Sequence, residues 1–200
     1  MTASFQSLHA NLTSNNLPAF CTELFEIKRL QEIEARQLIE LAHQIPDLRR
    51  FCMHILSLID EVPDRNQHKP TVEFVYRGCL ESPTKVVSKG LNLGPRDNPT
   101  KSIVEHKRNT GSSVYVSCSK DLEIAAEFAQ SLENKYSQSA YIYQIRALDG
   151  IDCQSWFAPV VEFHAEEKEV LFPHHIPSEA VIAYSQMNAP SEFRLMRPKA

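Results

Sequence analysis

The chain of 200 residues fits one ordinary domain, or one domain with an appendage. With 42% hydrophobic and 23% charged residues it can bury a core, and a formal net charge of −4 does not favour a general binder of nucleic acid or membrane surfaces. None of the five glycines has the spacing of a GxGxxG turn or a GxxxxGKS/T phosphate loop, which excludes a Rossmann dehydrogenase and a P-loop NTPase.

The five cysteines are odd in number and contain no CxxC pair, so the sequence predicts neither a disulfide framework nor a structural zinc site. Reduced thiols of a cytosolic protein are the simpler interpretation. No apolar run approaches the ~20 residues that span a bilayer. The first residues also lack the basic start and apolar stretch of a classical secretory signal.

The first part of the chain predicts a loose arm and a pair of helices. Residues 2–17 are rich in Ser, Thr, Asn and Gln, which favours either a frayed terminus or an export signal read by a bacterial injection system. Over residues 20–43 apolar side chains recur at helical spacing, and Pro46 ends this helix because proline lacks an N–H donor. A second amphipathic helix is expected over residues 47–61.

Residues 63–70 contain two prolines and no large apolar side chain, and are therefore expected to be a linker between residues 1–65 and residues 66–200. Short β-rich segments follow, at 71–76, 113–116, 141–145, 169–172 and 180–184, with one helix at about 120–133 that Ser119 is placed to cap. The strands are accompanied by few helices and do not alternate with them as in βαβ units. This predicts an α+β domain with a mixed β-sheet, preceded by the helical pair.

Two short motifs place polar side chains near the ends of predicted strands. Arg77 follows a β-rich run and precedes Gly78; its planar fork can hold a phosphate, and the glycine lets a ligand come close. An ordinary surface arginine is the alternative. Ser117 and Ser119 share one face of the next strand, either as a hydroxyl pair or as a strand serine and a helix cap.

A third motif places two carboxylates side by side. Glu167 and Glu169 project to the same side of an extended chain. Carboxylates this close repel each other, so a fold needs a reason to keep them. They fit either a solvated charged loop or a pair that stabilises a cationic transition state and handles a proton.

Taken in order, these motifs resemble the Arg, Ser-Thr-Ser and Glu-x-Glu motifs of ADP-ribosyltransferase toxins. The similarity is closest to the catalytic A subunits of cholera toxin, heat-labile enterotoxin and pertussis toxin, and it covers about residues 72–185. Two departures are Cys79-Leu80-Glu81, where the toxins carry Asp-Ser-Arg, and Cys118, which replaces the middle threonine. The matching stretches are Tyr76-Arg77-Gly78, Tyr115-Val116-Ser117-Cys118-Ser119 and Glu167-Lys168-Glu169-Val170.

The resemblance implies that NAD is the substrate and is cleaved between nicotinamide and its ribose. By this resemblance Glu169 stabilises the oxocarbenium-like transition state and holds a ribose hydroxyl, while Ser117 fixes the Glu169 rotamer. Arg77, with Gly78 beside it, would clamp the pyrophosphate. His106 corresponds to the histidine of a short helix and would lie along the dinucleotide. No metal is implied.

The resemblance also bears on the acceptor of ADP-ribose. Glu167 would orient and deprotonate the acceptor, and a glutamate at this place goes with arginine side chains of target proteins. The segment before it corresponds to the target-recognition loop of the family, with Phe163 as the candidate aromatic contact. Core packing is the alternative for Phe163.

Other functions stay open at this point. A NAD glycohydrolase would use the same site with water as acceptor, and a non-catalytic binding module could use the same fold. A metal hydrolase built on His164, His174 and His175 is disfavoured because adjacent histidines on an extended chain point in opposite directions. A Cys–His nucleophilic enzyme lacks a local signature.

The expected setting is a bacterial toxin or injected effector. Without a classical signal peptide, it would lie in the bacterial cytoplasm before export and then pass into a host cytosol. The expected partners are NAD and a protein target in a host or competitor cell. Neither nucleic acid nor a membrane span is expected.

Overall fold

A computed structural model of the protein describes residues 3–93, 97–158, 168–190 and 192–196. The chain divides into two compact units. The first unit comprises Met1–Pro63 and Arg96–Ser113, and the second comprises Asp64–Pro95 and Val114–Ala200. The predicted assignment of catalysis to residues 66–200 stays a prediction.

Helices lie in both units. Those of the described residues are α1 (Ala3–Thr13), α2 (Leu17–Glu26), α3 (Glu32–His43), α4 (Cys52–Ser57), α5 (Pro83–Lys89), α6 (Ile103–Arg108), α7 (Leu122–Tyr136) and α8 (Cys153–Phe157). Within the described ranges no helix combines the length and the apolar character needed to cross a membrane. Helices α1–α4 and α6 belong to the first unit, and α5, α7 and α8 to the second.

The expectation of a loose arm over residues 2–17 is wrong. Residues 3–13 form α1, and Phe5, Leu8 and Leu12 are buried along one side of it. These three positions have the i, i+3, i+7 spacing of a helical stripe, which the polar composition of the segment conceals. The side chain of Glu23 on α2 also holds α1 in place, because it accepts hydrogen bonds from Ser7 and Asn11. A narrow apolar stripe is therefore sufficient to order this segment.

The single helix expected over residues 20–43 is broken into α2 and α3. Ile27 and Gln31 both have extended backbone, and Gln31 with Glu34 forms a capping box that starts α3. Between the helices Leu30 is buried and its N–H donates to the carbonyl of Leu58, 2.9 Å away. Helical periodicity alone predicts one continuous helix here. The hydrogen bond between Leu30 and Leu58 breaks that helix into two.

The second expected helix is shorter than residues 47–61. A 3-10 helix spans Pro46–Phe51, and the α-helical part is limited to α4. Pro46 begins this turn, a position where its missing N–H costs nothing, so proline here starts a helix as well as ending the one before.

The strands form one large and one small sheet. They are β1 (Phe74–Cys79), β2 (Leu91–Asn92), β3 (Tyr115–Ser119), β4 (Tyr141–Arg146), β5 (Ile151–Asp152), β6 (Glu169–Pro173), β7 (His175–Ile176), β8 (Val181–Gln186) and β9 (Arg194–Leu195). Among the described residues, seven strands pair in the order β5-β6-β3-β1-β4-β8-β9, and β2 pairs with β7. All five predicted strands are present, with ends shifted by at most three residues.

The α+β class is confirmed, but every pairing between these strands is antiparallel rather than mixed. Among the described strands the chain that joins two neighbours returns in the opposite direction, which makes each of these pairs antiparallel. One face of the large sheet buries Val75, Val116, Tyr143, Val170 and Phe172 in a continuous apolar core.

Helix α7 packs on the other face of the sheet, where Ala125 and Ala129 contact Ile142. Its predicted cap is wrong by two residues. Asp121 is the N-cap and accepts from the Glu123 N–H, whereas the Ser119 hydroxyl accepts from the Asp121 N–H at 3.0 Å. Ser119 therefore supports the turn before the helix instead of capping the helix itself.

The burial of α1 leads to a test by mutation. Leu8 is fully buried, so Leu8→Ala removes buried apolar surface and leaves a cavity, at a cost of about 2–5 kcal/mol in the free energy of unfolding. Gln6→Ala, at an exposed position of the same helix, is the matched control and should cost less than about 0.5 kcal/mol. Urea denaturation followed by circular dichroism measures both. Equal stability of the two variants would mean that α1 is not anchored.

Candidate active site

Three neighbouring strands of the large sheet bring Arg77, Ser117 and Glu169 together. Arg77 lies on β1, Ser117 on β3 and Glu169 at the first position of β6, and β3 lies between the other two strands. The register pairs Ser119 with Tyr76 on one side and with Glu169 on the other. Residues paired directly across strands project to the same face, so Ser117, two positions before Ser119, faces the same side as Glu169.

Hydrogen bonds link the three residues. The Arg77 Nη1 donates to the main-chain carbonyl of Ser117 at 2.5 Å. The Ser117 hydroxyl in turn donates to Oε1 of Glu169. A guanidinium, a hydroxyl and a carboxylate are thus joined through one strand residue, and the roles predicted for them with NAD stay predictions.

The second carboxylate oxygen of Glu169 has a different neighbour. The Cys153 thiol donates to Oε2 at a distance of 3.6 Å from Sγ to the oxygen. Glu169 is 9% exposed and Cys153 4% exposed, so the contact is largely shielded from solvent. The carboxylate is therefore held from β3 and from the first residue of α8.

A nearly buried ion pair fixes the strands around this carboxylate. Lys120 Nζ lies 2.7 Å from Oδ2 of Asp152, and the two side chains are 12% and 7% exposed. Lys120 follows β3 and Asp152 ends β5, while β6 runs between these strands. The pair therefore spans the strand that carries Glu169.

The residue before Glu169 is held in an unusual backbone conformation. Lys168 has φ of 44°, in the left-handed region that side chains other than glycine rarely adopt. Its Nζ lies 2.8 Å from Oδ2 of Asp121, and its carbonyl accepts from the Lys120 N–H at 2.8 Å. The hydrogen bond from Lys168 lowers the pKa of Asp121 below its usual value, so the carboxylate stays charged in neutral solution. These contacts maintain the conformation from which Glu169 enters the sheet.

The structure gives Gly78 a packing role. A Cβ atom at Gly78 would lie 2.4 Å from the carbonyl oxygen of Ala125 and 2.7 Å from the N atom of Ala129. Both atoms belong to the backbone of α7, which cannot yield as a side chain can. Glycine is therefore required for the close approach of α7 to β1, and the predicted contact of Gly78 with a ligand stays a prediction.

Two cysteines near Arg77 are poor nucleophiles. Burial raises the pKa of both Cys79 and Cys118 to about 12, against a smaller lowering by the Arg77 charge. The reactive species of cysteine is the thiolate, which neither residue forms in neutral solution. Cys118, which replaces the threonine of the toxin motif, therefore has the character of a core residue.

His106 lies in the first unit, on α6, and is buried. Its Nδ1 is 2.6 Å from the hydroxyl oxygen of Ser113, within hydrogen-bond distance. The predicted place of His106 along the dinucleotide stays a prediction. Glu167 and Phe163 both lie outside the described residues.

In the part of the chain that the structure describes, no group of three or more His, Cys, Asp and Glu side chains could hold a metal ion. His174 and His175 are both exposed, and His174 has a left-handed φ of 68°. The described residues of the site offer hydrogen-bond donors and a carboxylate instead.

A buried carboxylate with a donor on each oxygen can stabilise developing positive charge without reorganising. The same carboxylate can also accept a hydrogen bond from a ligand hydroxyl, because each of its oxygens has more than one lone pair. These are the properties needed at a carbon that gains cationic character while its leaving group departs.

Comparison with known proteins places the chain in a family. The Scabin-like family model matches residues 76–197, which is more than half of the sequence and begins within β1. The chain belongs to the Scabin-like family. None of the curated proteins compared with the sequence matches it.

Solved structures agree with this assignment. A guanine-specific ADP-ribosyltransferase is 20% identical, with a TM-score of 0.51, over 68% of this chain and 88% of that chain. Scabin toxin from Streptomyces scabies in complex with NADH is 22% identical, with a TM-score of 0.50, over 68% of this chain and 85% of that chain. At this identity the similarity shows the fold, and the predicted membership of an ADP-ribosyltransferase toxin family is confirmed.

Three residues around Glu169 were not found from the sequence: Lys120, Asp152 and Cys153. Asp152 caps α8 by accepting from the Gln154 N–H, and an Asp directly before the start of a helix is a weak local signal of that role. No local pattern connects Lys120 with a partner 32 residues away, or Cys153 with Glu169. Only the strand register brings them together.

The Lys120–Asp152 pair gives a stability prediction. Lys120→Met should cost about 3–5 kcal/mol in the free energy of unfolding, because it leaves the Asp152 carboxylate buried and unpaired. Adding Asp152→Asn should recover part of this loss, since the charge is removed while the cap of α8 is kept. Urea denaturation of the two single variants and the double variant measures the coupling. Additive losses would show that the two side chains do not interact.

Proposed function

We propose that the protein cleaves NAD and transfers its ADP-ribose group to an acceptor. Membership of the Scabin-like family and the ADP-ribosyltransferase fold support this function. The observation that carries the proposal is the hydrogen bond from Ser117 on β3 to Glu169 on β6, with Arg77 bonded to the same serine. A solved relative in complex with NADH supports a nicotinamide dinucleotide as the ligand.

In the proposed reaction the bond between the ribose carbon and the nicotinamide nitrogen breaks, and its electron pair leaves with neutral nicotinamide. The ribose gains oxocarbenium character, which the Glu169 carboxylate stabilises. The acceptor then donates an electron pair to the ribose carbon and gives up a proton. With water as acceptor the same steps give ADP-ribose, which is the NAD glycohydrolase alternative.

Arg77 acts in binding. Its guanidinium is anchored on the Ser117 carbonyl, which places a fixed positive charge beside the strand that bonds Glu169. A planar guanidinium can hold a pyrophosphate through two parallel hydrogen bonds. Gly78 contributes its main chain in this proposal.

The acceptor has two candidates. Glu167 favours the arginine side chain of a target protein, with Phe163 contacting that protein, by resemblance to the toxin motifs. Guanine is favoured by the specificity of a structural relative, a guanine-specific ADP-ribosyltransferase. The second candidate would make a nucleic acid or a free nucleotide a partner, contrary to the expectation from charge.

Toxin-family membership supports the proposed setting of a translocated bacterial effector. In that setting the protein is made in the bacterial cytoplasm and meets its target in a host or competitor cell.

Glu169→Gln should abolish NAD cleavage while leaving the fold intact. The substitution removes the anion at the reacting carbon but keeps the size of the side chain, so the rate should fall by ~10²–10³ or more. Release of nicotinamide measured by chromatography gives the rate. Glu179→Gln, at an exposed position of the same unit, is the matched control and should keep wild-type activity. Turnover by Glu169→Gln near that of the wild type would refute the assignment.

Glu167→Gln should separate transfer from hydrolysis. If Glu167 deprotonates a protein arginine, the rate of transfer to protein should fall at least tenfold in the variant. Hydrolysis of NAD by water should stay measurable. Labelled NAD is incubated with the enzyme and a cell lysate, and the product is treated with a protease or a nuclease. Label released by the protease supports arginine, and label released by the nuclease supports guanine. Equal loss of transfer and hydrolysis would mean that the two glutamates act as one unit.

A further inference from the structure

Cys153 contacts Glu169 but has no role in the proposed reaction. Its Sγ lies 3.6 Å from Oε2 of Glu169, within reach of the weak thiol donor, because sulfur is larger than nitrogen or oxygen. Ser117 donates to the other oxygen of the same carboxylate. Cys153 and Glu169 are almost completely buried, so little water competes for this contact.

The position of Cys153 is fixed by the residue before it. Asp152 pairs with Val170 across β5 and β6, accepts from the Gln154 N–H at 3.1 Å and forms the ion pair with Lys120. Cys153 is the first residue of α8 and follows Asp152 directly. A strand pairing, a helix cap and an ion pair therefore set the direction in which the thiol points.

We propose that Cys153 is a positioning residue, which fixes the Glu169 carboxylate by donating its thiol proton to Oε2 while Ser117 donates to Oε1. The proposal rests on the proposed function of Glu169. Donors on both oxygens limit rotation of the carboxylate plane, and hydrogen bonds to the charged form favour ionisation of the acid. A thiol is a weak donor, and a carboxylate oxygen accepts more than one hydrogen bond, so Oε2 stays available to a ribose hydroxyl while the thiol remains bonded.

The activities of two Cys153 variants distinguish a positioning role from simple packing. Cys153→Ala keeps an apolar side chain but removes the donor. Cys153→Ser restores a donor but places a polar hydroxyl in the same space. If Cys153 only fills volume, the serine variant is no better than the alanine variant. If it positions Glu169, serine rescues the loss caused by alanine.

The kinetic test measures NAD hydrolysis by the full chain. Cys153→Ala should lower kcat about threefold to tenfold, because one weak hydrogen bond to a charged group is lost, and should leave KM for NAD within about twofold. Cys153→Ser should lie within about twofold of the wild type in both constants. Cys52→Ala, a buried cysteine of the first unit, is the control and should not change kcat. An equal loss in the Ala and Ser variants, or no loss in Cys153→Ala, would overturn the proposal.

A spectroscopic test separates this proposal from the proposed function. The side-chain carboxyl ¹³C signal of Glu169 is assigned by its disappearance in Glu169→Gln. In Cys153→Ala this signal should shift and titrate at higher pH, and in Cys153→Ser it should return toward the wild-type position. An unchanged signal in Cys153→Ala would overturn the positioning role. If the signal responds as expected but the wild type does not cleave NAD, the contact is real and the proposed function fails.

Discussion

The antiparallel register between β3 and β6 determines the whole candidate site. It pairs Ser119 with Glu169 and thereby places the Ser117 hydroxyl against the Glu169 carboxylate. Side chains alternate between the two faces of a strand, so a shift of one residue would turn Glu169 into the apolar core. Strand β6 is held in place by its hydrophobic residues on the opposite face, Val170 and Phe172, and by the Lys120–Asp152 pair that spans the strand. Structural stability and the chemistry of the site thus depend on the same pairing.

The surroundings of Glu169 are arranged as successive layers of support. Ser117 and Cys153 contact the carboxylate itself, and Asp152 fixes Cys153 from β5. Lys168, bonded to Asp121 at the start of α7, sets the backbone from which the strand begins. A carboxylate supported in this way needs little reorganisation when positive charge develops beside it. This preorganisation is the physical basis of the proposed cleavage of NAD.

The order of the Arg77, Ser117 and Glu169 motifs was sufficient to predict the family and the three residues that the structure brings together. Strands were found because β-branched and aromatic residues alternate in short runs. The helical stripe of α1 was missed because polar residues surround three apolar ones, and the break between α2 and α3 because a tertiary contact of Leu30 overrides helical periodicity. Cys153 could not be found, since the contact with Glu169 exists only once β5 and β6 are paired.

A crystal structure of the Glu169→Gln protein bound to NAD tests the central claim most directly, because the substitution preserves the shape of the site and prevents turnover. A hydroxyl of the nicotinamide ribose is expected within hydrogen-bond distance, ~2.6–3.2 Å, of the side chain at position 169. The pyrophosphate is expected to lie against Arg77. NAD bound away from β1, β3 and β6 would contradict the proposed site.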